Sequence, residues 1–496
     1  MQFLDKIVST LTTHTTRNAF CIQDKFYTYA DLASNISNIQ EVFDGLFQNE
    51  QRIGVLINDN IETYSVILAT LLSGRTYIPI HPGHPADRIE QIIAQAGLNV
   101  IFSATDAISY GGIHNVNTSV IIANTVASDA ITAVQDAADK YAYILFTSGT
   151  TGVPKGTPIT YHNLDSFTTA FFALGYDINE HDGFLQMFDL TFDLSVMSYL
   201  MPLCIGACVY TVPEKGMKFT NIYGLLEAHN ITFALMVPSI LSYLRPYFGE
   251  IELPLLRHSL FCGEALLTDV VKEWASCAPN AIIENVYGPT EATIFCLTYR
   301  VDPAAGVLDV NGIVSIGKEM QGTEAIVVDE LMQPVHYGEK GELCLYGHQV
   351  TPGYLSDEKN KEAFFLLNDK KYYRTGDIAY MHESGNYIYC GRIDHQVKIQ
   401  GFRVELSEVE HHVREIVNGT SAVALAVSNG NGLNQIDVII ESDLRDKEEL
   451  LIALRTKLPP YMIPTNIHFI SPFPLNVNGK TDRKALQLQI MESIEV

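Results

Sequence analysis

Short β-rich runs alternate with helical patterns through the first part of the chain, and this rhythm is the strongest constraint on its fold. The runs lie at 53–57, 77–80, 100–102 and 120–122. They are almost continuously apolar, which is typical of strands buried on both faces of a sheet. Helical patterns at 64–72 and 86–96 lie between them. Because strands that alternate with helices form parallel sheets, the sequence predicts an α/β fold with a doubly wound sheet.

A second set of strand-like runs repeats this pattern further along the chain. The runs lie at 207–210, 233–236, 258–261 and 281–284. From about 312 to 390 the pattern changes to alternating strands broken by glycine turns, which predicts a β-rich subdomain. Beyond 394, strands mix with amphipathic helices, as in a compact α+β domain. We therefore predict a large N-terminal domain of residues 1–393, with doubly wound sheets and a β-rich subdomain at about 312–390, and a small C-terminal domain of residues 394–496.

The composition excludes several classes of function. The 496 residues carry 57 acidic and 32 basic side chains, for a formal net charge of −25, which disfavours a nucleic-acid or anionic-membrane partner. The longest apolar stretches are too short to span a bilayer, and the N-terminus lacks the pattern of a signal peptide. The eight cysteines form no CxxC pair and no zinc spacing, so we interpret them as reduced thiols. We expect a soluble cytoplasmic protein that binds no nucleic acid and does not insert into membranes.

A glycine-rich loop directly follows the apolar run at 143–146. Residues 147–156 read TSGTTGVPKG. Glycines can aim backbone N–H groups at a ligand, and the hydroxyls and the lysine add donors and charge, so the loop is suited to binding phosphate. It is not a Walker A loop, because Pro154 precedes the lysine and Gly156 follows it. The alternative is a mobile surface loop. The candidate phosphate-binding residues are Thr147, Ser148, Gly149, Thr150, Thr151, Gly152 and Lys155.

A lysine near the C-terminus is the second candidate for phosphate chemistry. Lys480 lies in the segment NGKTDR at 478–483, where a tight Asn-Gly turn presents a cation. A compact positive charge can stabilise phosphate oxygens that gain charge during in-line transfer. The alternative is a solvated hairpin lysine. A nucleotide that contacts both the loop and this distant lysine would bind at a domain boundary, which suggests an enzyme that assembles its site by moving one domain.

These segments and three further motifs resemble those of the ANL adenylating enzymes, which include acyl-CoA synthetases, firefly luciferase and the adenylation domains of nonribosomal peptide synthetases. Residues 285–291 (NVYGPTE) are similar to the adenine and metal motif of that family, 373–377 (YRTGD) to its ribose motif and 391–406 to its hinge motif. The match runs in order over almost the entire chain. It implies that a substrate carboxylate attacks the α-phosphorus of ATP in the presence of Mg²⁺ and that pyrophosphate leaves. It also implies a small, mobile α+β C-terminal domain that swings at Asp394.

The resemblance and the chemistry of each side chain together assign roles to the motif residues. Lys480, Thr290 and Glu291 are the predicted catalytic residues, and Glu291 is also the predicted metal ligand. Tyr287 can stack on adenine and Asp377 can accept bonds from ribose hydroxyls, although a core tyrosine and a turn-capping aspartate are the structural alternatives. The other residues predicted to contact ATP are Asn285, Val286, Gly288, Pro289, Thr290, Tyr389, Arg392 and Lys480.

An aspartate in the segment FDLS indicates which class of acid is activated. Family members that activate amino acids have an aspartate here for the α-ammonium group, and a cation beside a partly buried carboxylate is a strong and selective contact. In this sequence the residue is Asp193, for which a structural role at a helix start is the alternative. The lining is apolar and fills space, so the substrate side chain should be small. The other predicted substrate residues are Leu194, Met197, Cys262, which could equally be a core cysteine, Ile294 and Lys480.

We therefore predict an AMP-forming ligase that adenylates a small amino acid and transfers it to the phosphopantetheine thiol of a carrier protein. Residues 192–197 and 260–264 resemble the ligases that load D-alanine onto a carrier protein, which favours D-alanine. No carrier domain follows Lys480, so we expect the carrier to act in trans. One alternative is another small amino acid, such as L-alanine, glycine or serine, in a peptide or natural-product pathway. Another is a carboxylate–CoA ligase, against which Asp193 argues. A catalytically silent nucleotide-binding protein would be expected to lack Lys480 or Glu291.

Overall fold

The fold is that of a computed structural model, which describes residues 1–105, 110–123, 131, 133–148, 153–302, 306–394, 396–428, 433–442, 446–474 and 481–494. Six predicted features lie outside these ranges: Gly149, Thr150, Thr151, Gly152, Lys480 and the hairpin at 478–479. No helix within the ranges is both long enough and apolar enough to cross a membrane.

Several helices are amphipathic and lie at the surface, whereas one helix, α7 (Asp193–Leu203), is buried on all sides. Within the described residues they are α1 (Gln2–Thr13), α2 (Tyr29–Leu46), α3 (Ile61–Leu72), α4 (Ala86–Ala96), α5 (Thr118–Ala123), α6 (Tyr161–Ala173), α7 (Asp193–Leu203), α8 (Lys218–Ala228), α9 (Pro238–Leu244), α10 (Thr268–Cys277), α11 (Asp357–Ala363), α12 (Leu406–Ile416), α13 (Lys447–Arg455) and α14 (Arg483–Ile494). Helix α2 begins with a capping box in which Thr28 and Asp31 bond each other's backbone amides. Helix α7 is buried along its whole length, as expected for a helix that is apolar on all sides.

The strands are short, as is usual for large sheets. Within the described residues they are β1 (Asn18–Ile22), β2 (Lys25–Thr28), β3 (Arg52–Leu56), β4 (Thr76–Ile80), β5 (Val100–Ser103), β6 (His114–Asn117), β7 (Tyr141–Thr147), β8 (Lys155–Thr160), β9 (Gly183–Gln186), β10 (Cys208–Thr211), β11 (Phe233–Met236), β12 (His258–Phe261), β13 (Ile282–Tyr287), β14 (Leu297–Val301), β15 (Asp309–Val310), β16 (Ile313–Val314), β17 (Lys318–Glu319), β18 (Thr323–Val328), β19 (Gly341–Gly347), β20 (Phe364–Leu367), β21 (Lys370–Met381), β22 (Tyr387–Arg392), β23 (Gln396–Ile399), β24 (Phe402–Glu405), β25 (Ala422–Ser428), β26 (Asn434–Ile440) and β27 (Asn466–Phe469). The prediction of a strand at 120–122 is wrong, because these residues belong to helix α5. The strand in this part of the chain is β6, which ends just before α5 begins.

Two large sheets carry most of the fold. One has six strands in the order β6-β5-β3-β4-β7-β8, and the other has nine in the order β17-β14-β13-β12-β11-β9-β10-β1-β2. The central strands of both sheets pair in parallel, as expected for strands connected through helices. One hydrophobic core contains Val55 of β3, Phe184 of β9 and Leu200 of α7. The predicted α/β fold class with large sheets is confirmed.

A smaller antiparallel sheet follows the two large ones. Strands β18, β19, β21 and β20 lie side by side, and β22 also pairs with β21. Leu343, Leu345 and Tyr387 are part of its buried core. This sheet occupies the stretch that the sequence predicts to be β-rich.

The chain divides into two compact units. The large unit comprises 1–82, 93–146 and 156–393, and the small unit comprises 83–92, 147–155 and 394–496. In the small unit, β25, β26 and β27 form a sheet, and Val409 of α12, Val438 of β26 and Leu454 of α13 share its core. The predicted domain division assigns 83–92 and 147–155 to the N-terminal domain, and it remains a prediction.

Candidate active site

The carboxyl ends of parallel strands β12 and β13 bring predicted pocket residues together in the large unit. Phe261 pairs with Asn285 across these strands, which places Cys262 beside Val286 at the next position. In open α/β sheets, ligands bind at the carboxyl ends of the strands. The predicted pocket residues Leu194, Met197, Cys262 and Ile294 are all buried in one hydrophobic cluster with Val286.

Gly288 connects β13 to the predicted catalytic residues Thr290 and Glu291, and the structure leaves no room for a side chain at this position. A Cβ atom on Gly288 would lie 2.4 Å from Cα of Phe295 and 2.9 Å from the carbonyl oxygen of Ile294. These are backbone atoms, so any larger residue would displace the loop. Pro289 follows and caps a short 3₁₀ helix that carries Thr290 and Glu291. The motif therefore keeps a fixed backbone path from the strand to its acidic residue.

The predicted adenine and ribose motifs meet in one buried hydrogen-bonded group. The Tyr287 hydroxyl donates to Oδ2 of Asp377, and Nη1 of Arg392 donates to Oδ1 of the same carboxylate at 2.6 Å. Arg392 also donates to the Thr375 carbonyl oxygen at 3.1 Å. Asp377 and Arg392 face each other across β21 and β22. A carboxylate has about four lone-pair positions, so Asp377 can still accept bonds from ribose hydroxyls while it holds both partners.

Two other residues predicted to contact ATP lie close to this group. Tyr389 on β22 packs against the hydrophobic cluster that contains Tyr287. Asn285 is buried, and its Nδ2 donates to the carbonyl oxygens of Ser315 at 2.9 Å and Val314 at 3.3 Å. The side-chain nitrogen of Asn285 is thus used within the protein, and its predicted role at the adenine edge remains a prediction.

The predicted metal ligand is fully buried and held by a tyrosine. Glu291 has no solvent exposure, and its Oε1 accepts a hydrogen bond from the Tyr354 hydroxyl at 2.5 Å. The Glu291 carbonyl oxygen accepts from the Thr351 amide at 2.8 Å. The Tyr354 hydroxyl lies 3.4 Å from that of Tyr373. Sequence reasoning did not identify Tyr354, since no spacing relates it to a glutamate 63 residues earlier.

Two β-branched residues that follow the 3₁₀ helix, Thr293 and the predicted substrate residue Ile294, adopt left-handed backbone conformations. Thr293 has φ +53° and Ile294 has φ +76°, a region that costs β-branched residues of order 1–3 kcal/mol each. Gln349 holds the segment, because its backbone carbonyl accepts from the Thr293 hydroxyl and its Nε2 donates to the Phe295 carbonyl oxygen at 2.9 Å. The side chain of Gln349 is fully buried. Sequence reasoning did not identify this residue either.

The predicted amine anchor is a buried carboxylate with one unsatisfied oxygen. Asp193 is the first residue of α7 and is 6% exposed. Thr290 and the backbone amides of Leu194 and Ile294 lie close enough to the carboxyl group to lower its pKa. Its Oδ2 accepts no hydrogen bond from any described residue. Burial raises the pKa of Asp193 to about 7, the Thr290 side chain opposes this, and the negative charge of Glu291 adds to the rise. Such a carboxylate is suited to a cationic partner.

The described residues of the phosphate loop lie in the small unit with the hinge motif. The Ser148 hydroxyl donates to the Arg403 carbonyl oxygen at 2.9 Å. Lys155 donates to Oε1 of Glu405 at 3.2 Å, and both side chains are largely buried. Thr147 is the last residue of β7. Asp394, the predicted hinge, accepts a bond from the backbone amide of Gln396 at 3.1 Å. Lys155 therefore has a carboxylate partner that the sequence did not predict.

Comparison with known proteins finds similarity over almost the whole chain. A family profile described as AMP-binding enzyme matches residues 9–355. The D-alanine–D-alanyl carrier protein ligase of Lacticaseibacillus paracasei is 31% identical over 501 residues, covering 96% of this chain and 97% of its own. A linear gramicidin synthase of Brevibacillus parabrevis is 31% identical over 493 residues, which is 95% of this chain and 9% of that protein. The adenylation domain AlmE of Vibrio cholerae, solved in complex with glycyl-adenosine-5'-phosphate, has a TM-score of 0.86 at 27% identity and covers 99% of this chain and 98% of its own.

Proposed function

Because the chain belongs to the AMP-binding enzyme family, we propose that it activates a small amino acid with ATP and loads it onto a separate carrier protein. The amino-acid carboxylate attacks the α-phosphorus of ATP, and the bond to pyrophosphate breaks. The phosphopantetheine thiol of the carrier then attacks the acyl carbon of the aminoacyl-adenylate, so that a thioester forms and AMP leaves. The enzyme is thus an AMP-forming amino acid–carrier protein ligase.

The observation that carries this proposal is the unsatisfied oxygen of Asp193. A buried carboxylate oxygen without a donor is costly, and an α-ammonium group would supply both a donor and the opposite charge. A substrate without an amine would leave this oxygen without a donor, so the free-energy cost of burying it would remain. The site is therefore selective for amino acids over fatty or aryl acids.

The lining of the pocket supports a small substrate side chain. Met197 and Ile294 are fully buried, and Leu194 and Cys262 are almost so, and none of the four carries a charge that could pair with an acidic or basic substrate. D-Alanine is the first candidate, since the full-length relative from L. paracasei is named for it. Glycine is the second candidate, because the AlmE structure was solved with glycyl-adenosine-5'-phosphate.

The residues of the large unit fit ATP and Mg²⁺ in the roles that the motifs suggest. Asp377 would bind the ribose hydroxyls, with Arg392 and Tyr287 fixing its orientation. Glu291 is the carboxylate that would hold Mg²⁺, which would neutralise phosphate charge. Tyr354 keeps one oxygen of Glu291 in a fixed position. In this proposal the loop at 147–155 binds the phosphates of ATP. Lys480 stabilises the negative charge that develops on the phosphate oxygens in the transition state.

We place this reaction in the cytoplasm. ATP is the co-substrate, and none of the eight cysteines of the sequence forms a disulfide in the structure. Unpaired cysteines are typical of a reducing compartment. Seven of them are buried and Cys390 is half-buried, so none is positioned as an exposed reactive group.

ATP–pyrophosphate exchange tests the proposal. We expect exchange with D-alanine and measure it beside glycine, L-alanine, L-serine and propionate, which matches alanine in size but lacks the amine. Greater exchange with glycine than with D-alanine would establish the second candidate. Exchange with propionate comparable to that with D-alanine would refute the role of Asp193.

Carrier loading tests the second half-reaction. A carrier protein with phosphopantetheine should accumulate the thioester, whereas the same carrier without this group should not. Free coenzyme A is the competing acceptor. If coenzyme A is loaded as efficiently as the carrier, the protein is a CoA ligase and the carrier assignment is wrong.

A further inference from the structure

A cluster of three potential metal ligands lies at the edge of the nine-stranded sheet, in the large unit. Cys21 is on β1, Asp24 is in the turn between β1 and β2, and His229 caps the C-terminus of α8. Gln23 and Asp24 have φ values of +50° and +62°, which is typical of a two-residue type I′ hairpin turn. The turn fixes Asp24 relative to the strand that carries Cys21.

The ligand atoms of the cluster are close enough for one ion. The Cys21 sulfur, an Asp24 carboxylate oxygen and a His229 ring nitrogen all lie within 4.8 Å of one another. The distance between His229 Nε2 and Asp24 Oδ1 is 3.1 Å. Tetrahedral zinc holds its ligand atoms about 3 to 4 Å apart, given zinc–ligand distances of about 2.0 to 2.3 Å. The three ligand atoms would therefore need to move only slightly toward one another to bind a zinc ion.

The surroundings of the cluster restrict how its side chains can move. The His229 ring lies 5.2 Å from that of Tyr210 and 6.2 Å from that of Phe26. Cys21 is buried, whereas Asp24 is exposed. All three residues line a cavity of about 270 Å³, whose wall also includes Thr220 and Asn221. A metal ion could therefore enter from the cavity.

We propose that Cys21, Asp24 and His229 bind a zinc ion. A thiolate and an imidazole favour zinc over the oxygen-preferring Mg²⁺ and Ca²⁺. Three protein ligands leave one tetrahedral position, which opens into the cavity and takes water or a small donor molecule. The ion replaces the hydrogen bond between His229 and Asp24. This site is separate from the reaction proposed above and does not depend on it.

The proposed ion would tie together segments that are distant in sequence. His229 and Asp24 are 205 residues apart, and β2 is the edge strand of the nine-stranded sheet. The sequence shows no zinc spacing because the fold, rather than a local motif, brings the ligands together. Binding to the folded state alone would raise the stability of the whole unit.

A second group within the described residues is a weaker candidate. His411, His412 and Glu415 also place their ligand atoms within 4.8 Å of one another. They lie on one turn of α12, where His412 Nδ1 is 3.1 Å from the Glu415 carboxylate. This group has no thiolate. It therefore provides a control rather than a proposal.

Cobalt(II) binding to the full-length, chelator-treated protein tests the site, because a cobalt–thiolate bond gives a charge-transfer absorption in the near ultraviolet. We expect this band to saturate at one equivalent and to disappear on addition of one equivalent of zinc. Cys21→Ser should abolish it. Cys390→Ser, which removes a half-buried thiol elsewhere in the large unit, should leave it unchanged, and so should His411→Gln.

The exposed ligand gives a second variant that leaves the core intact. Asp24→Asn keeps a residue that tolerates the left-handed turn conformation, and it should weaken zinc binding at least about tenfold in competition with a chromophoric chelator, since even indirect partners of a metal ligand are worth that much. Absence of the cobalt band in the parent protein would overturn the proposal. A band that survives Cys21→Ser, or zinc affinity unchanged by Asp24→Asn in a normally folded variant, would do so as well.

Discussion

Asp193→Asn should stabilise the protein while weakening its binding of the amino-acid substrate. Asparagine has nearly the same shape as aspartate but is neutral. In the substrate-free protein, ionised Asp193 is buried with one unsatisfied oxygen, so the charge opposes folding. In the proposed complex the same charge attracts the substrate ammonium group. The substitution therefore separates the contribution of this carboxylate to binding from its cost to stability.

The pKa of Asp193 gives the size of the stability effect. Burial raises it from an ordinary value of 3.8 to about 7. Stability that is present below pH 3.8 is therefore lost as the pH rises to about 7, and the loss is complete above that. At about 1.36 kcal/mol per pKa unit, the ionised carboxylate costs about 4 kcal/mol at pH 8 and about 2 kcal/mol at pH 5.5. The advantage of the variant should grow by about 2 kcal/mol between these two pH values.

Thermal unfolding of both proteins at pH 5.5 and pH 8 measures this difference. We expect the midpoint of Asp193→Asn to exceed that of the parent by more at pH 8 than at pH 5.5. Asp165→Asn is the control: that side chain is partly exposed and accepts one backbone amide bond, from Phe3 at 3.1 Å, which the asparagine oxygen can retain. Because its charge is partly exposed to water, its removal should change the midpoint less than Asp193→Asn does at pH 8.

The activity of the same variant is measured by ATP–pyrophosphate exchange. Loss of a buried charged partner costs about 3 kcal/mol, which corresponds to a KM for the amino acid roughly a hundredfold higher. The KM for ATP should change little. If the midpoint difference is the same at both pH values, or if the amino-acid KM is unaffected, the reasoning about the buried carboxylate is wrong.

Four further predictions concern the same reaction. The amino-acid KM of the parent should fall about tenfold between pH 6 and pH 8, because the ionised fraction of Asp193 rises from about one tenth to about nine tenths; a flat profile in the exchange assay would contradict this. Glu291→Gln should abolish exchange at every Mg²⁺ concentration, and Tyr354→Phe should raise the Mg²⁺ concentration for half-maximal exchange several-fold without changing the KM for the amino acid, whereas an unchanged Mg²⁺ dependence would remove Tyr354 from the site. Lys480→Ala should abolish exchange but retain ATP binding in calorimetry, and full exchange by this variant would refute its role.

The sequence predicts best those parts of the fold that local patterns determine. The strand predicted at 233–236 and the helix predicted at 86–96 have those bounds, and the strand predicted at 53–57 is shifted by one residue, to Arg52–Leu56. The prediction of a strand at 120–122 is wrong, because a short apolar stretch has no periodicity that distinguishes a strand from a turn of buried helix. The family resemblance drawn from the motifs is confirmed by the matched profile and the full-length relatives.

The candidate site is predictable only where its residues belong to motifs. Tyr287 and Asp377 belong to separate motifs, and the structure joins them directly. Tyr354 and Gln349 could not be predicted, since they form hydrogen bonds with residues that lie 63 and 56 positions away in the sequence. The contact of Lys155 with Glu405 is of the same kind. Such contacts depend on how the chain folds back on itself, and no local pattern records them.

The left-handed pair Thr293 and Ile294 has a consequence for redesign of the pocket. Gln349 holds their backbone through hydrogen bonds with Thr293 and Phe295, so we expect the Cα atom at 294 to keep its position when the side chain is changed. Replacement by asparagine or glycine would also relieve an unfavourable backbone conformation, which would offset part of the packing lost. Since Ile294 is a predicted substrate residue, we expect altered amino-acid selectivity from substitutions at position 294 in which Gln349 is retained. Loss of that glutamine would remove the hydrogen bonds that hold the backbone of this segment.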